Sequence, residues 1–318
     1  MNFISDSKTD RVSLARYALA LLGAALWVGG CGSSSSSGGD AGAAGIPGVS
    51  GAGGASAIAG ASGTAGGLGT AGGGAAATMS DLCADAPADL ATSKQHSRTC
   101  SLGDDARFFV RAAPYTKVLI EIASTKSATP SKAATDHLVA VMGDLLDKSG
   151  GVTVTADPPM DDIGHPISTA EAAAIEDTSR THFSLGDTVV FYYLVVSESS
   201  TDDTSSGTIL GYSYRPSSMV VFQKNIDAAA GGLGQPSRDV VESTVVAHEF
   251  GHILGLVNLG TPMQTPHEDS AHKGHDVNTA CLMYWANNSS AGLANLLTGG
   301  NVPDYDAACR ADVAALKN

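Results

Sequence analysis

This 318-residue chain has no basic run, and its charge is lopsided: 18 Lys and Arg stand against 32 Asp and Glu, for a formal net charge of −14. Such a balance excludes the electrostatic footprint of a nucleic-acid binder and otherwise favours little beyond solubility. Nor is there an apolar run of the ~20 residues that a membrane-spanning helix needs. Internal repeats are missing too, so the fold is not read as a solenoid or propeller. Cysteine is scarce, 5 in all. The weight of the fold therefore falls on a hydrophobic core, for which residues 80–318 are ample as one domain.

The one sustained apolar stretch is short and sits at the start. Lys8, Arg11 and Arg16 precede Tyr17–Val28, the charged region and apolar core of a secretory signal. It ends in Val28-Gly29-Gly30-Cys31, which resembles a bacterial lipobox. That resemblance implies cleavage before Cys31 and lipidation of its thiol, with residues 1–30 as the lipoprotein signal peptide. The protein is then expected to be exported and lipid-anchored to a bacterial outer membrane or cell surface. Removing residues 1–30 takes away three basic residues and two acidic ones, Asp6 and Asp10, leaving −15. Residues 31–79 are almost entirely Gly, Ala, Ser and Thr. They cannot bury enough apolar surface to offset chain entropy, and read as a flexible tether. Four cysteines remain beyond Cys31. An even number in an exported chain favours two disulfides. Three connectivities are possible, and sequence proximity points to Cys83–Cys100 and Cys281–Cys309.

Strand and helix signals alternate along residues 80–318, which makes the class α/β (α+β). Strands are expected at 117–123, 151–155, 188–196, 208–214 and 218–223, an amphipathic helix at 130–148, and a second helix at 168–182 that opens at Ser168 or Thr169 with Glu171 in its first turn. The run Thr188–Val196 is apolar throughout, as a strand covered on both faces should be. A further helix is expected to start near Ser237, with Asp239 and Glu242 placed favourably in the field of its N-terminus.

That last helix carries His248-Glu249-Phe250-Gly251-His252-Ile253-Leu254-Gly255. Histidines four residues apart share one face of a helix and can share a metal. Glu249 is then placed as general base toward a water at that metal. Gly255 allows a sharp left-handed exit. A catalytic zinc usually takes three protein ligands, so a third must lie elsewhere. His267, His272 and His275 are the candidates, with Glu268 and Asp269 as acidic alternatives.

The segment His248–Gly255, taken with Cys281-Leu282-Met283-Tyr284, resembles the metzincin peptidases, whose pattern is HExxHxxGxxH followed by a methionine turn. The resemblance implies a twisted, mostly parallel sheet of about five strands, an active-site helix and a smaller C-terminal subdomain. This chain departs from the pattern at Asn258, which stands where the third histidine belongs. A neutral amide is a poor zinc ligand beside imidazole, so Asn258 is read as a cap or loop residue. Archaemetzincins offer a closer spacing: His275, Asp276, four residues, Cys281, Leu282 and Met283 match their His-Cys-x4-Cys-x-Met, with Asp in place of the first Cys. On this likeness residues 256–274 are an insertion, the ligands are His248, His252 and His275, and Met283 is the floor of the site. The archaemetzincin cysteines hold a second, structural zinc. With Asp276 in place of one of them, a single catalytic Zn2+ is expected here and Cys281 is assigned to a disulfide. Tyr284 is either an oxyanion donor or a buried structural residue.

The resulting expectation is a monomeric, surface-tethered zinc endopeptidase acting on protein or peptide substrates, which lie along an edge strand. Two rivals stand beside it: a non-catalytic binding lipoprotein with a decayed site, and a zinc hydrolase of non-peptide bonds. A latent form in which Cys83 or Cys100 ligates the zinc is the less favoured alternative to their disulfide.

Overall fold

The computed structural model describes residues 79–290, 293 and 300–318. The signal peptide expected at 1–30, Cys31 and nearly all of the tether lie outside the described residues. No helix among the described residues is long and apolar enough to cross a membrane.

Five strands form one sheet: β1 (Lys117–Ser124), β2 (Val152–Ala156), β3 (Thr188–Val196), β4 (Gly211–Arg215) and β5 (Ser218–Phe222). Their order is β2-β1-β3-β5-β4, parallel except for the antiparallel edge strand β4. This is the α/β class and mostly parallel five-stranded sheet expected from the sequence.

Alternation along the strands sorts their side chains onto two faces. Val118, Ile120, Ile122, Phe191, Tyr193, Val195, Met219 and Val221 join a large core with helices α4 (Lys132–Leu145) and α7 (Arg238–Ile253). Tyr192, Leu194, Val196, Val220 and Phe222 face the other way, where they form a smaller core with Ala172 of α5 (Thr169–Ser179). Coverage on both faces explains the unbroken apolar run of β3.

The caps follow local chemistry. Ser131, Ser168 and Ser237 each accept a backbone N–H at a helix start, and Ser168 with Glu171 forms a capping box.

Helix α7 is fastened at several points. Phe250 meets Phe109 and Phe191 edge-on, with ring centroids 5.9 and 5.6 Å away; each such pair adds about 1 kcal/mol to the burial itself. Buried Glu242 accepts from Ser131 N at 2.8 Å and Tyr193 Oη at 2.9 Å, and pairs with Arg238 at 3.1 Å. Helix, sheet and the start of α4 are thereby locked in register.

Helices α1 (Met79–Ala84), α2 (Leu90–Thr99), α3 (Ala106–Val110), α6 (Gln223–Ala229) and α8 (Ala307–Leu316) were not expected from the sequence. They are short, and tertiary packing rather than periodicity defines them. Cys83 and Cys100 are disulfide-bonded, so neither is available as a latency ligand. Cys281 and Cys309 are not bonded, contrary to expectation: both are buried free thiols with sulfurs 3.7 Å apart, far beyond the ~2.05 Å of a disulfide.

The N-terminal helices dock through a buried His96–Asp105 pair, Nε2 to Oδ1 at 2.5 Å, while His96 Nδ1 lies 2.8 Å from Leu82 O. Burial opposes the charge on His96, yet the Asp105 carboxylate outweighs it and the imidazole is held above its ordinary value. A group raised on folding stabilises below its unfolded pKa of about 6.5, and that contribution fades as pH climbs through the folded value. Thermal unfolding from about pH 5 to about pH 9 should therefore show a wild-type advantage over Asp105→Asn that is largest on the acid side and shrinks with rising pH.

Candidate metal centre

Thirteen consecutive residues of α7, Val241 to Ile253, are buried. Among them His248 and His252 project one turn apart, with ring centroids separated by 4.7 Å. Their Nε2 atoms lie 3.1 Å apart. His248 Nδ1 donates to Leu282 O at 2.7 Å, which fixes the tautomer and leaves Nε2 with its lone pair free. His275 completes the group, its ring 5.3 Å from His248 and 5.0 Å from His252, with one nitrogen from each residue within 4.8 Å of the others.

Burial, reinforced by its histidine neighbours, lowers His248 to about 3 and holds His252 well below its ordinary value; burial also lowers His275. All three imidazoles are thus neutral at physiological pH, the form that binds metal. Tetrahedral coordination at ~2.05 Å sets ligand nitrogens roughly 3.3 Å apart, close to the His248–His252 separation. The donor set fits a zinc ion with one coordination position left open.

Glu249 lies on the same helix beside edge strand β4. A Cβ added to Gly211 would approach Glu249 Cγ to 3.3 Å and Val245 Cγ1 to 2.8 Å, so glycine lets the strand sit directly on the helix. Burial raises Glu249 to about 7, and its Oε1 is buried without a hydrogen-bond partner. Ser213 Oγ donates to the Glu249 carbonyl at 2.7 Å, tying β4 to α7 at this point.

The other histidines are engaged elsewhere. His267 lies 3.4 Å from Asp312. His272 binds Asp269 at 2.8 Å and stacks on Trp285, centroids 4.3 Å apart. Glu268 interacts with Lys273 and the Gly274 amide. Asn258 has a left-handed backbone, φ 69°, with its amide directed toward Glu268 at 3.4 Å. Tyr284 packs near Trp285, centroids 5.7 Å apart.

Met283 is fully buried against α7. A Cβ on Gly251 would fall 2.3 Å from Met283 Sδ and 3.0 Å from Tyr305 Cε1. Gly251 and Tyr305 were missed in the sequence: Gly251 inside the motif looks like an unconstrained x position, and Tyr305 lies 22 residues beyond Met283. Tyr305 also donates to Ala247 O, bracing the helix from below.

A second donor set lies next to the methionine segment. Asp276, Cys281, Asp306 and Cys309 bring one ligand atom each within 4.8 Å of one another, and all but Asp306 are buried. Cys281 Sγ accepts from Met283 N at 3.4 Å and Asp306 N at 3.5 Å, and Cys309 Sγ reaches Asp276 Oδ2 at 3.5 Å. The facing Cys281 sulfur and burial raise the Cys309 thiol; two sulfurs and two carboxylates make a closed donor set of the kind that suits a structural zinc, which would bind with loss of the thiol protons. The spacing signal was present, Asp-x4-Cys and Asp-x2-Cys, but only the fold shows that the two halves meet.

No protein-family model and no curated protein matches the chain. Among solved structures, an archaemetzincin from Methanopyrus kandleri is similar at 12% identity, over 63% of this chain and 96% of that one, with a TM-score of 0.41. Metalloproteinase-II from Bacteroides fragilis is similar at 12% identity, over 65% and 56%, with a TM-score of 0.35. The metal-centre geometry rests on the side chains themselves and not on these distant likenesses.

Metal counting on the full chain tests both clusters. His275→Ala should lose one bound ion, whereas His267→Ala should keep it. Cys281→Ser combined with Cys309→Ser should lose a different single ion and leave the histidine site loaded; an unchanged count in that variant would show that the Asp/Cys cluster holds none.

Proposed function

We propose that the protein is a zinc-dependent peptidase. The observation that carries this reading is the convergence of three neutral imidazoles beside a buried carboxylate whose Oε1 has no partner. When bound, zinc supplies Lewis acidity that polarises the scissile carbonyl and acidifies water.

The chain's own residues do the rest. Glu249 Oε1 takes the proton of the attacking water and then delivers it to the leaving amine. A carboxyl raised to about 7 by burial is matched to that exchange near neutrality. Leu282 O holds the His248 ring in its ligating tautomer. Strand β4 lies directly over Glu249 and offers an edge to which an extended peptide adds by backbone pairing. This support for peptides also distinguishes the reading from a zinc hydrolase of non-peptide bonds. Whether the bond cut is interior, as the endopeptidase expectation has it, depends on how much of that edge is open. The proposal extends to location: a lipid on Cys31 and the tether over 31–79 would hold the domain, as a monomer, outside a bacterial membrane.

Glu249→Gln is isosteric and leaves every proposed ligand in place. It should retain bound zinc while turnover of a mixed peptide library falls by roughly 10²–10⁴-fold. Wild-type turnover in that variant would sink the mechanism. A zinc-loaded wild-type protein that cuts no peptide would favour the non-peptide hydrolase, and one that binds no zinc would favour the decayed binding protein.

A further inference from the structure

Strand addition needs an edge whose outer backbone groups are unpaired, and half of this edge is taken. After Met283 the chain passes through a short 3-10 turn, Trp285–Asn288, and then runs beside the segment that leads into β4. Ile209 and Ser289 form an antiparallel bridge. Around it Leu210 N bonds Asn288 O at 3.4 Å and Ser290 N bonds Thr208 O at 3.1 Å. Side chains reinforce the pairing: Asn288 Oδ1 accepts from Gly211 N at 3.2 Å, and Ser290 Oγ accepts from Thr208 N and Thr208 Oγ1 at 3.0 and 2.9 Å. Residues 288–290 thus occupy the position that an added strand would take alongside Thr208–Gly211.

The closure stops at a chemically significant place. Gly211, the last residue engaged, is the one that lies against Glu249. Past it, Tyr212, Ser213 and Tyr214 make no backbone hydrogen bond outside the β4–β5 ladder among the described residues. The base therefore sits at the boundary between a closed half and an open half of the edge. An extended substrate has a ladder available on one side of its scissile bond and a wall on the other.

The direction of the substrate follows from pairing. Antiparallel ladders are somewhat more stable per residue than parallel ones. A chain antiparallel to β4 lays the residues before the scissile bond along Tyr212–Arg215 and points those after it at Asn288. At ~3.4 Å per residue, little chain fits between the base and that wall. Resting on the peptidase reading above, we infer that this enzyme trims polypeptides from the carboxyl end, releasing about one or two residues per cut. The class of substrate is a chain with a free C-terminal end in extended form, and Asn288 and Ser290 are the specificity-determining residues.

The test uses the full-length protein on linear peptides of mixed sequence and on head-to-tail cyclic forms of the same peptides, with products read by mass spectrometry. Linear peptides should shorten from the carboxyl end and cyclic ones should survive intact. Combining Asn288→Ala with Ser290→Ala removes the side-chain ties on Gly211 and Thr208 and should bring interior cuts that the wild type lacks. The comparison of linear with cyclic substrates needs only the wild type, so it stands even if that variant fails to fold. Cleavage of the cyclic peptides, interior cuts by the wild type, or trimming from the amino end would each overturn the inference while leaving the peptidase reading intact. No cleavage of any peptide would overturn both.

Discussion

Helix α7 is buried on every side, and that constraint sets both what holds the domain together and what its site can do. The sheet covers one face through Phe191, with Phe109 of α3 beside it, α4 covers another, and Met283 with Tyr305 closes the third through the space Gly251 leaves. A helix so enclosed has to account for each polar group it carries, because unpaired buried groups are costly. Glu242 is satisfied by Ser131, Tyr193 and Arg238, and Thr244 by the Val240 carbonyl. Left without a hydrogen-bond partner toward the histidine cluster are Glu249 Oε1 and His252 Nδ1, beside the facing imidazole nitrogens. Where such groups converge with three imidazoles, a ligand and chemistry belong.

The exit from that helix leads to His275 through a left-handed turn and a local hairpin. Gly255 takes φ 67°, and Val257 and Asn258 follow at 52° and 69°. A left-handed Val is strained; full burial of its side chain offsets that cost. Beyond the turn the chain folds back on itself. Glu268 bridges Asp276, Asp269 N bonds His275 O, and Val277 N bonds His267 O. These pairs close a short hairpin, residues 267–277, that delivers His275 to the cluster.

The chain segment that follows His275 serves three purposes. Residues 276–283 contribute two donors of the Asp/Cys cluster, the carbonyl that orients His248 and the sulfur that floors the site. Residues 284–290 then turn to close the edge of β4. The histidine cluster, the Asp/Cys cluster and the edge of β4 are therefore coupled through one stretch of fewer than twenty residues, whose backbone has almost no regular secondary structure.

Periodicity and caps made much of this legible from the sequence. The strands at 117–124, 188–196 and 218–222, the Ser131, Ser168 and Ser237 helix starts, and the pairing of His248 with His252 all follow from local rules. Spacing that repeats every two or four residues survives in one dimension. What only the tertiary structure decided involves groups distant in sequence: His275 over His267 and His272, Cys309 beside Asp276 instead of in a disulfide with Cys281, Gly251 making room for Met283, and Asn288 standing on Gly211. The physical reason is the same in each case. Local sequence determines which face of an element a side chain occupies, whereas a meeting between two elements depends on how their buried surfaces pack, and that is settled by the whole core at once.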